Sequence, residues 1–106
     1  SPIALAIAKK ATTESIKRLD ESFFRVRFDR LTPAEKRYLR ALAELGDGAH
    51  RSGDIAEKLR VKAQSVAPIR SGLITKGMIY SPAYGDTDFT VPLFGAFMKR
   101  VMPKIK

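Results

Sequence analysis

Residues 51–91 read RSGDIAEKLRVKAQSVAPIRSGLITKGMIYSPAYGDTDFTV and decide the fold. Ser52 is placed to cap a first helix, because a serine hydroxyl accepts hydrogen bonds from the free amides of a helix N-terminus. Apolar residues then recur at the three- and four-residue spacing of a helix with one buried face. Residues 60–62 form a short turn after this helix. The inward positions of the helix are Ile55, Ala56 and Leu59.

A second helix follows this turn. It is predicted to end at Gly77, since glycine suits the left-handed backbone that follows many helices. Proline is comfortable only in the first turn of a helix, so Pro68 indicates that the helix begins with Ser65 as its N-cap. At 100° per residue, its buried face carries Val66, Ile69, Leu73 and Ile74.

Two short strand-like segments, residues 78–81 and 87–91, come after Gly77 and are joined by turn residues at 82–86. A helix, a turn, a second helix and a two-stranded wing form the layout of a winged helix-turn-helix. In that layout the second helix commonly lies on DNA.

The preceding residues are predicted to be helical. Residues 1–30 form an N-terminal helical segment that we expect to pack on the core. Thr32-Pro33-Ala34-Glu35 has the pattern of a capping box with proline at the first helical position, and Gly46 ends the helix that it opens. The inward positions of that helix are Tyr38, Leu39, Leu42 and Leu45.

A short strand is expected at residues 49–51. Pro92 is expected to open a last helix that stops before Pro103. The predicted fold class is therefore α+β and mostly helical. It is a winged helix-turn-helix domain over residues 31–106, with an N-terminal helical extension and a C-terminal helix. The apolar side of the last helix consists of Phe94, Phe97, Met98 and Val101.

The charge balance favours an anionic partner. The 106 residues contain 20 Lys and Arg against 11 Asp and Glu, which gives a formal net charge of +9 and a pI near 10.2. A basic domain of this size suits nucleic acid, although a cationic solvated surface is the alternative. The chain has no Cys and no apolar run long enough to span a membrane, which fits a cytoplasmic protein with no membrane partner. The opening Ser1-Pro2, without an initiator Met, indicates a fragment of a longer protein.

Enzyme chemistry finds little support in the sequence. His50 is the only histidine and has no glycine-framed serine near it, so a nucleophilic triad is not expected. There is no metal-ligand spacing and no phosphate-binding G-x-x-x-x-G-K-[ST] loop. Asp86 and Asp88 fall on a wing tip, where carboxylates are usually solvated. We therefore expect a non-enzymatic chain without a cofactor.

Four cations of the central stretch are candidate phosphate contacts. Residues 51–76 contain six cations against two acids, a local charge of +4. Each cation placed on a phosphate releases about one counterion, so binding would depend on salt. The alternative is that these residues are basic because turns are exposed. The candidates are Arg51, Arg60, Lys62 and Lys76.

Candidate base contacts are weaker. The outward face of the second helix carries Gln64, Pro68, Ser71 and Thr75, of which Gln64 can pair with adenine. No Arg or Lys is aimed outward for guanine, and Arg70 falls near the buried sector, where we expect it to reach solvent or pair with an acid. Tyr84 in the wing could equally contact a sugar or cap the core.

Two basic segments outside the central stretch leave alternatives open. The tail cations Lys99, Arg100, Lys104 and Lys106 either contact a second phosphate or form a solvated end. Residues 23–30 mix phenylalanine with arginine. This pattern occurs on nucleic-acid-binding surfaces, but phenylalanines at this spacing more often lie in the hydrophobic core. The same segment could also pack on a further domain.

Several segments of the chain form a recognisable set: FRVRFD at 24–29, LTPAE at 31–35, AELG at 43–46, GLI and KGMIYSP within 72–82, and FTVP at 89–92. Through these segments, much of residues 20–103 resembles the C-terminal region of bacterial AAA-type ATPases. This resemblance implies a winged-helix module appended to an upstream P-loop ATPase domain, similar in layout to origin-recognition ATPases whose winged helices hold DNA. The chain departs from the general helix-turn-helix pattern at Lys62, Pro68 and Arg70, which weakens the expectation of sequence-specific reading.

The leading hypothesis is a module that binds double-stranded DNA with low sequence specificity. Its predicted site residues are Arg51, Arg60, Lys62, Gln64, Ser71, Thr75, Lys76 and Tyr84. The runner-up is an interaction module that docks on the parent ATPase domain or forms a homo-oligomer.

Overall fold

The computed structural model describes residues 21–105. The chain divides into two compact units, residues 1–30 and 31–106, and each is described by itself. In the first unit, residues 21–29 belong to helix α1, slightly longer than the predicted end near residue 27. Phe24 and Phe28 are buried, whereas Phe23 is 44% exposed and carries the Arg27 guanidinium 3.4 Å from its ring centroid. Predictions on residues 1–20 lie outside the described residues, and packing on the core stays a prediction.

The second unit combines four helices with a small antiparallel sheet, so the α+β class is confirmed. The strand order is β1-β3-β2, in which His50 pairs with Thr87 and Ile79 pairs with Phe89. The two wing strands are shorter than predicted. The elements are α2 (Pro33–Glu44), β1 (His50–Arg51), α3 (Ser52–Leu59), α4 (Ala63–Thr75), β2 (Ile79–Tyr80), β3 (Asp86–Phe89) and α5 (Phe94–Val101).

Helix α2 has both predicted ends. Thr32 Oγ1 accepts a hydrogen bond from the Glu35 amide at 3.2 Å, and Glu35 Oε1 accepts one from the Thr32 amide at 2.9 Å. This reciprocal capping box is confirmed. Gly46 follows the helix with φ +102°, a conformation that glycine adopts without strain. Leu45 is only half-buried. The fully buried large side chains of the core are Tyr38, Leu39, Leu42, Ile55, Val66, Leu73, Ile79, Phe94 and Met98.

The predicted caps of the helix-turn-helix pair are wrong. Ser52 is the first residue of α3, and its amide donates to the Gly85 carbonyl oxygen at 3.0 Å. Helix α4 begins at Ala63 rather than after Ser65, so Pro68 lies inside it and removes one backbone hydrogen bond. Val66 and Leu73 are buried on either side of the proline, and this packing outweighs the local cost.

Helix α5 begins two residues later than predicted, at Phe94. Pro92 and Leu93 instead form a tight turn, in which the Phe94 amide donates to the Val91 carbonyl oxygen at 3.3 Å. Leu93 has φ 68° and ψ 0°, the left-handed position of a type II turn that glycine usually fills. Within residues 21–105, none of the helices has the length and apolar character needed to cross a membrane.

Candidate nucleic-acid interface

Helix α4 turns one face to solvent along its whole length. Val66 and Leu73, seven residues apart, form a narrow buried stripe, while Ile69 is half-buried. Ile74 was predicted to be buried but is 41% exposed, because only this narrow stripe meets the neighbouring elements. The exposed residues include the predicted readers Gln64, Ser71 and Thr75, together with Ala63, Ala67 and Pro68.

The turn between α3 and α4 presents Arg60 and Lys62 to solvent. Arg60 adopts φ 59° and ψ 41°, left-handed backbone that is unfavourable for a residue with a Cβ. Its amide donates to the Glu57 carbonyl oxygen and the Val61 amide donates to that of Ala56, both at 3.0 Å. This Schellman arrangement closes α3 and carries Arg60 at the outer corner of the turn.

Each helix of the pair has a cation at its N-cap, where a side chain that accepts hydrogen bonds from the helix amides is usual. Arg51 is the N-cap of α3 and Lys62 is the N-cap of α4, and neither makes a side-chain capping bond. A helix N-terminus carries a partial positive charge, which a cation reinforces rather than offsets. The two starts therefore place a full positive charge beside the positive end of each helix, although the Ser52 and Ser65 amides are bonded within the chain.

The wing is joined to both helices. The Ser52–Gly85 bond holds the wing turn beside the start of α3. Arg70 on α4 donates from Nε to Thr87 Oγ1 at 2.9 Å and from a terminal nitrogen to the Asp86 carbonyl oxygen at 3.0 Å. Arg70 is half-buried, and its guanidinium does not pair with an acidic side chain, because its acceptors are a hydroxyl and a backbone carbonyl of β3. Tyr84 at the wing tip is fully exposed and does not cap the core.

These bonds bring the start of α3 beside α4. Ser52 lines the same shallow depression as Ala67 and Ser71, so the start of α3 borders the exposed face of α4. Arg51 directly precedes Ser52. Arg60 lines a different surface depression, with Ser65 and Ile69 on the other flank of α4.

Lys76 differs from the other predicted phosphate contacts. Its Nζ lies 2.5 Å from Oε1 of Glu35, a buried carboxylate that also caps α2. Burial raises the pKa of Glu35, but the hydrogen bond from Lys76 and the bond from the Thr32 amide outweigh it and hold this pKa below its ordinary value. Lys76 also follows the last residue of α4, about 20 Å along the helix from Lys62 at 1.5 Å per residue. The positive charge of Lys76 therefore contributes mainly to folding, through its ion pair with Glu35.

One comparison places the chain in a family. A family model described as "Domain of unknown function (DUF8462)" matches residues 21–98. The chain belongs to the DUF8462 family. Neither the curated proteins nor the solved structures contain a significant match to it. The matched part of the DUF8462 domain contains α2, α3, α4 and the whole wing, and therefore every predicted site residue.

Acidic groups also border this face of the DUF8462 domain. Asp54 is exposed in the first turn of α3, and Asp86 lies opposite Arg51 in the strand pairing. Asp88 Oδ1 accepts a hydrogen bond from the Phe89 amide at 2.7 Å. Asp54 and Glu57 also line the same surface depression as Arg60, so carboxylates of α3 lie near this turn cation.

The described residues offer no metal site. Among residues 21–105 no group of three or more His, Asp or Glu side chains could hold an ion. Nε2 of His50 lies 2.9 Å from the Gly46 carbonyl oxygen. That contact ties β1 to the end of α2.

Proposed function

We propose that residues 31–106 form a winged helix-turn-helix module that binds double-stranded DNA with low sequence specificity. The observation that carries this proposal is the solvent-exposed face of α4, whose N-terminal end is preceded by the exposed cations Arg60 and Lys62. In this arrangement α4 enters the major groove and the turn contacts the phosphates beside it.

Electrostatics support an anionic ligand. The chain carries a net charge of +9, and Arg51 and Lys62 stand at the uncapped N-termini of α3 and α4. Phosphate oxygens accept hydrogen bonds from lysine and arginine side chains. Tyr84, fully exposed at the wing tip, is placed to contact a sugar of the adjacent backbone.

Low specificity follows from the side chains that α4 offers. Its only cation is Arg70, and the guanidinium of Arg70 is bonded to Thr87 and Asp86 of the wing. No residue of α4 is then left to make the two-pronged arginine or lysine contact that reads guanine. Gln64 and Ser71 remain as short polar readers, so most of the affinity comes from phosphate contacts.

We extend the proposal to the parent protein on the basis of the sequence resemblance. The module is the C-terminal part of a larger AAA-type ATPase in the cytoplasm, where it holds DNA while an upstream domain hydrolyses ATP. This chain contributes no P-loop. Joining it to its upstream domain would then confer DNA-stimulated ATP hydrolysis, which the chain alone lacks.

A second candidate is an interaction module that docks on the parent ATPase domain or on another copy of the chain. Leu93 favours this candidate, since it is 72% exposed and held in left-handed backbone that disfavours leucine. Tyr80, 47% exposed, lines the same surface groove as Leu93. Sedimentation would then show concentration-dependent association that Leu93→Ser weakens and Lys62→Glu leaves unchanged.

A salt titration tests DNA binding. Affinity for a short fluorescent duplex is measured by anisotropy between about 50 and 200 mM salt. If Arg51, Arg60 and Lys62 each contact a phosphate, the log–log slope is about −2.7 and affinity falls about 40-fold over this range. Lys62→Ala lowers the slope by about one unit. Lys99→Ala on α5, also an exposed cation, is the matched control and leaves the slope unchanged. Salt-independent affinity, or no binding, contradicts the proposal.

A further inference from the structure

The exposed face of α4 carries no charged residue, and half of its exposed residues are apolar. Ala63, Ala67 and Pro68 are exposed along it, and Ile74 is 41% exposed near its end. A surface helix usually carries charged and polar residues on the side opposite its buried stripe. The outward face of α4 instead carries no charge, and the methyl and methylene groups of these four residues lie there beside Gln64, Ser71 and Thr75. The proposed function puts the base edges at this face.

The polar residues of this face are Gln64, Ser71 and Thr75. Ser65 is also exposed but lines the depression on the other flank of α4. Oγ1 of Thr75 donates its proton to the Ser71 carbonyl oxygen at 3.1 Å, so that hydroxyl has no proton left for an acceptor on a base. Arg70 is bonded to β3. Gln64 and Ser71 are therefore the side chains of the face that can donate a hydrogen bond outward.

The four bases differ in what they show to such a surface. In the major groove, thymine presents its C5 methyl group, whereas guanine presents the acceptors N7 and O6 that cations read best. Apolar side chains pack on the thymine methyl, and the amide of Gln64 matches the N6 and N7 edge of adenine. Guanine acceptors that face Ala67 and Ile74 would lose their hydrogen bonds to water without gaining a protein donor.

We propose that α4 selects A·T-rich duplex DNA by packing Ala63, Ala67, Pro68 and Ile74 on thymine methyl groups, with Gln64 reading adenine. This inference rests on the DNA-binding function proposed above. The cations at Arg60 and Lys62 hold the helix N-terminus to the phosphates whatever the sequence, and the apolar face sets the preference among sequences.

The test changes only the C5 methyl group. Four duplexes of one length are compared by anisotropy at one salt concentration: an A·T-rich duplex, the same duplex with every thymine replaced by uracil, a G·C-rich duplex, and the latter with 5-methylcytosine. Each contacted methyl changes affinity about fourfold, corresponding to about 0.8 kcal/mol per buried methyl group. We expect uracil to weaken binding and 5-methylcytosine to strengthen it.

A pair of matched variants assigns the effect to α4. Ala67→Ser places a hydroxyl on the proposed contact face and reduces the difference between thymine and uracil duplexes. Ala96→Ser makes the same change at an exposed position of α5, which packs on α2, and leaves the difference intact.

The outcomes separate the two proposals. Equal affinity for all four duplexes overturns the A·T preference but leaves DNA binding standing. A preference for A·T-rich DNA that ignores the methyl group also overturns it, because the methyl lies in the major groove and minor-groove reading does not depend on it. If none of the duplexes binds, the proposed function itself fails.

Discussion

Arg70 and Thr87 lie 2.9 Å apart, Nε to Oγ1, and join the middle of α4 to the central strand of the sheet. Thr87 is fully buried, and the Ser52 hydroxyl is also within 3.5 Å of its Oγ1. The orientation of the wing relative to the proposed reading helix therefore depends on a contact between residues 17 positions apart.

This contact is tested by removing one partner and then both. Arg70→Leu leaves the buried Thr87 hydroxyl without its main donor and lowers the free energy of unfolding by about 1–3 kcal/mol. Arg70→Leu with Thr87→Val removes both polar groups and restores much of the loss, since an apolar pair avoids the unpaired hydroxyl. Urea unfolding measures both values. If the double variant is as unstable as the sum of the single ones, the two side chains act independently.

Replacing Arg60 with glycine should have opposite effects on stability and on DNA binding. Left-handed backbone at φ 59° destabilises a residue with a Cβ by about 1–2 kcal/mol. Glycine avoids this strain but loses more backbone entropy on folding, so only part of that energy is recovered. Arg60→Gly should therefore stabilise the fold by about 0.5–1 kcal/mol. The same change removes a proposed phosphate contact and lowers the salt slope of DNA binding by about one unit.

Leu93→Gly is the matched control for Arg60→Gly. Leu93 has φ 68° and is 72% exposed, so glycine relieves the same kind of strain without removing a cation. Urea midpoints should rise for both variants, whereas DNA affinity should fall only for Arg60→Gly. Equal affinities of both variants would argue against a phosphate contact at residue 60.

Because of the ion pair between Glu35 and Lys76, we expect the free energy of unfolding to fall at acid pH. The pKa of Glu35 is lower in the folded chain than its ordinary value of 4.5, because Lys76 and the Thr32 amide outweigh the effect of burial. Its contribution is therefore complete above about pH 4.5 and is lost as the pH falls through the lower folded pKa. Glu35→Gln should flatten this part of the curve of unfolding free energy against pH. Glu57→Gln, exposed on α3, should retain it. An equally steep decline in both variants would contradict this role.

Tyr38 offers a test within the core. Its side chain is fully buried, and its hydroxyl has no hydrogen-bond partner among the described residues. Removal of an unpaired buried polar group is neutral or favourable. We expect Tyr38→Phe to leave stability unchanged or raise it by about 0.5–1 kcal/mol. Thermal unfolding measures this, with Tyr80→Phe at a half-exposed position as the control. A marked drop in Tm for Tyr38→Phe would show that the hydroxyl is satisfied.

Local chemistry predicted one helix of the fold well. Thr32 and Glu35 mark the start of α2 and Gly46 its end, because capping and left-handed backbone depend on neighbours within a few residues. The same reasoning failed at Ser52 and Ser65, where packing of α3 and α4 sets the helix starts and leaves cations at the N-caps.

Contacts distant in sequence were not predictable from spacing. Lys76 and Glu35 are separated by 41 positions, and nothing local to either residue indicates the pair. Gly72 is a sequence signal of this contact that was missed, because a glycine inside a helix can mark the close approach of another element. A Cβ at residue 72 would lie 3.0 Å from Glu35 Oε2. Ile74 was misplaced because the buried stripe of α4 is narrower than a full apolar face.

The most direct test of the proposed interface is a map of backbone amide chemical shifts during titration with a short DNA duplex. The account predicts that the largest changes fall on residues 51–53, 60–68 and 84–85, with small changes along α5. Shifts confined to α5 and the groove at Leu93, or none at saturating DNA, would contradict it.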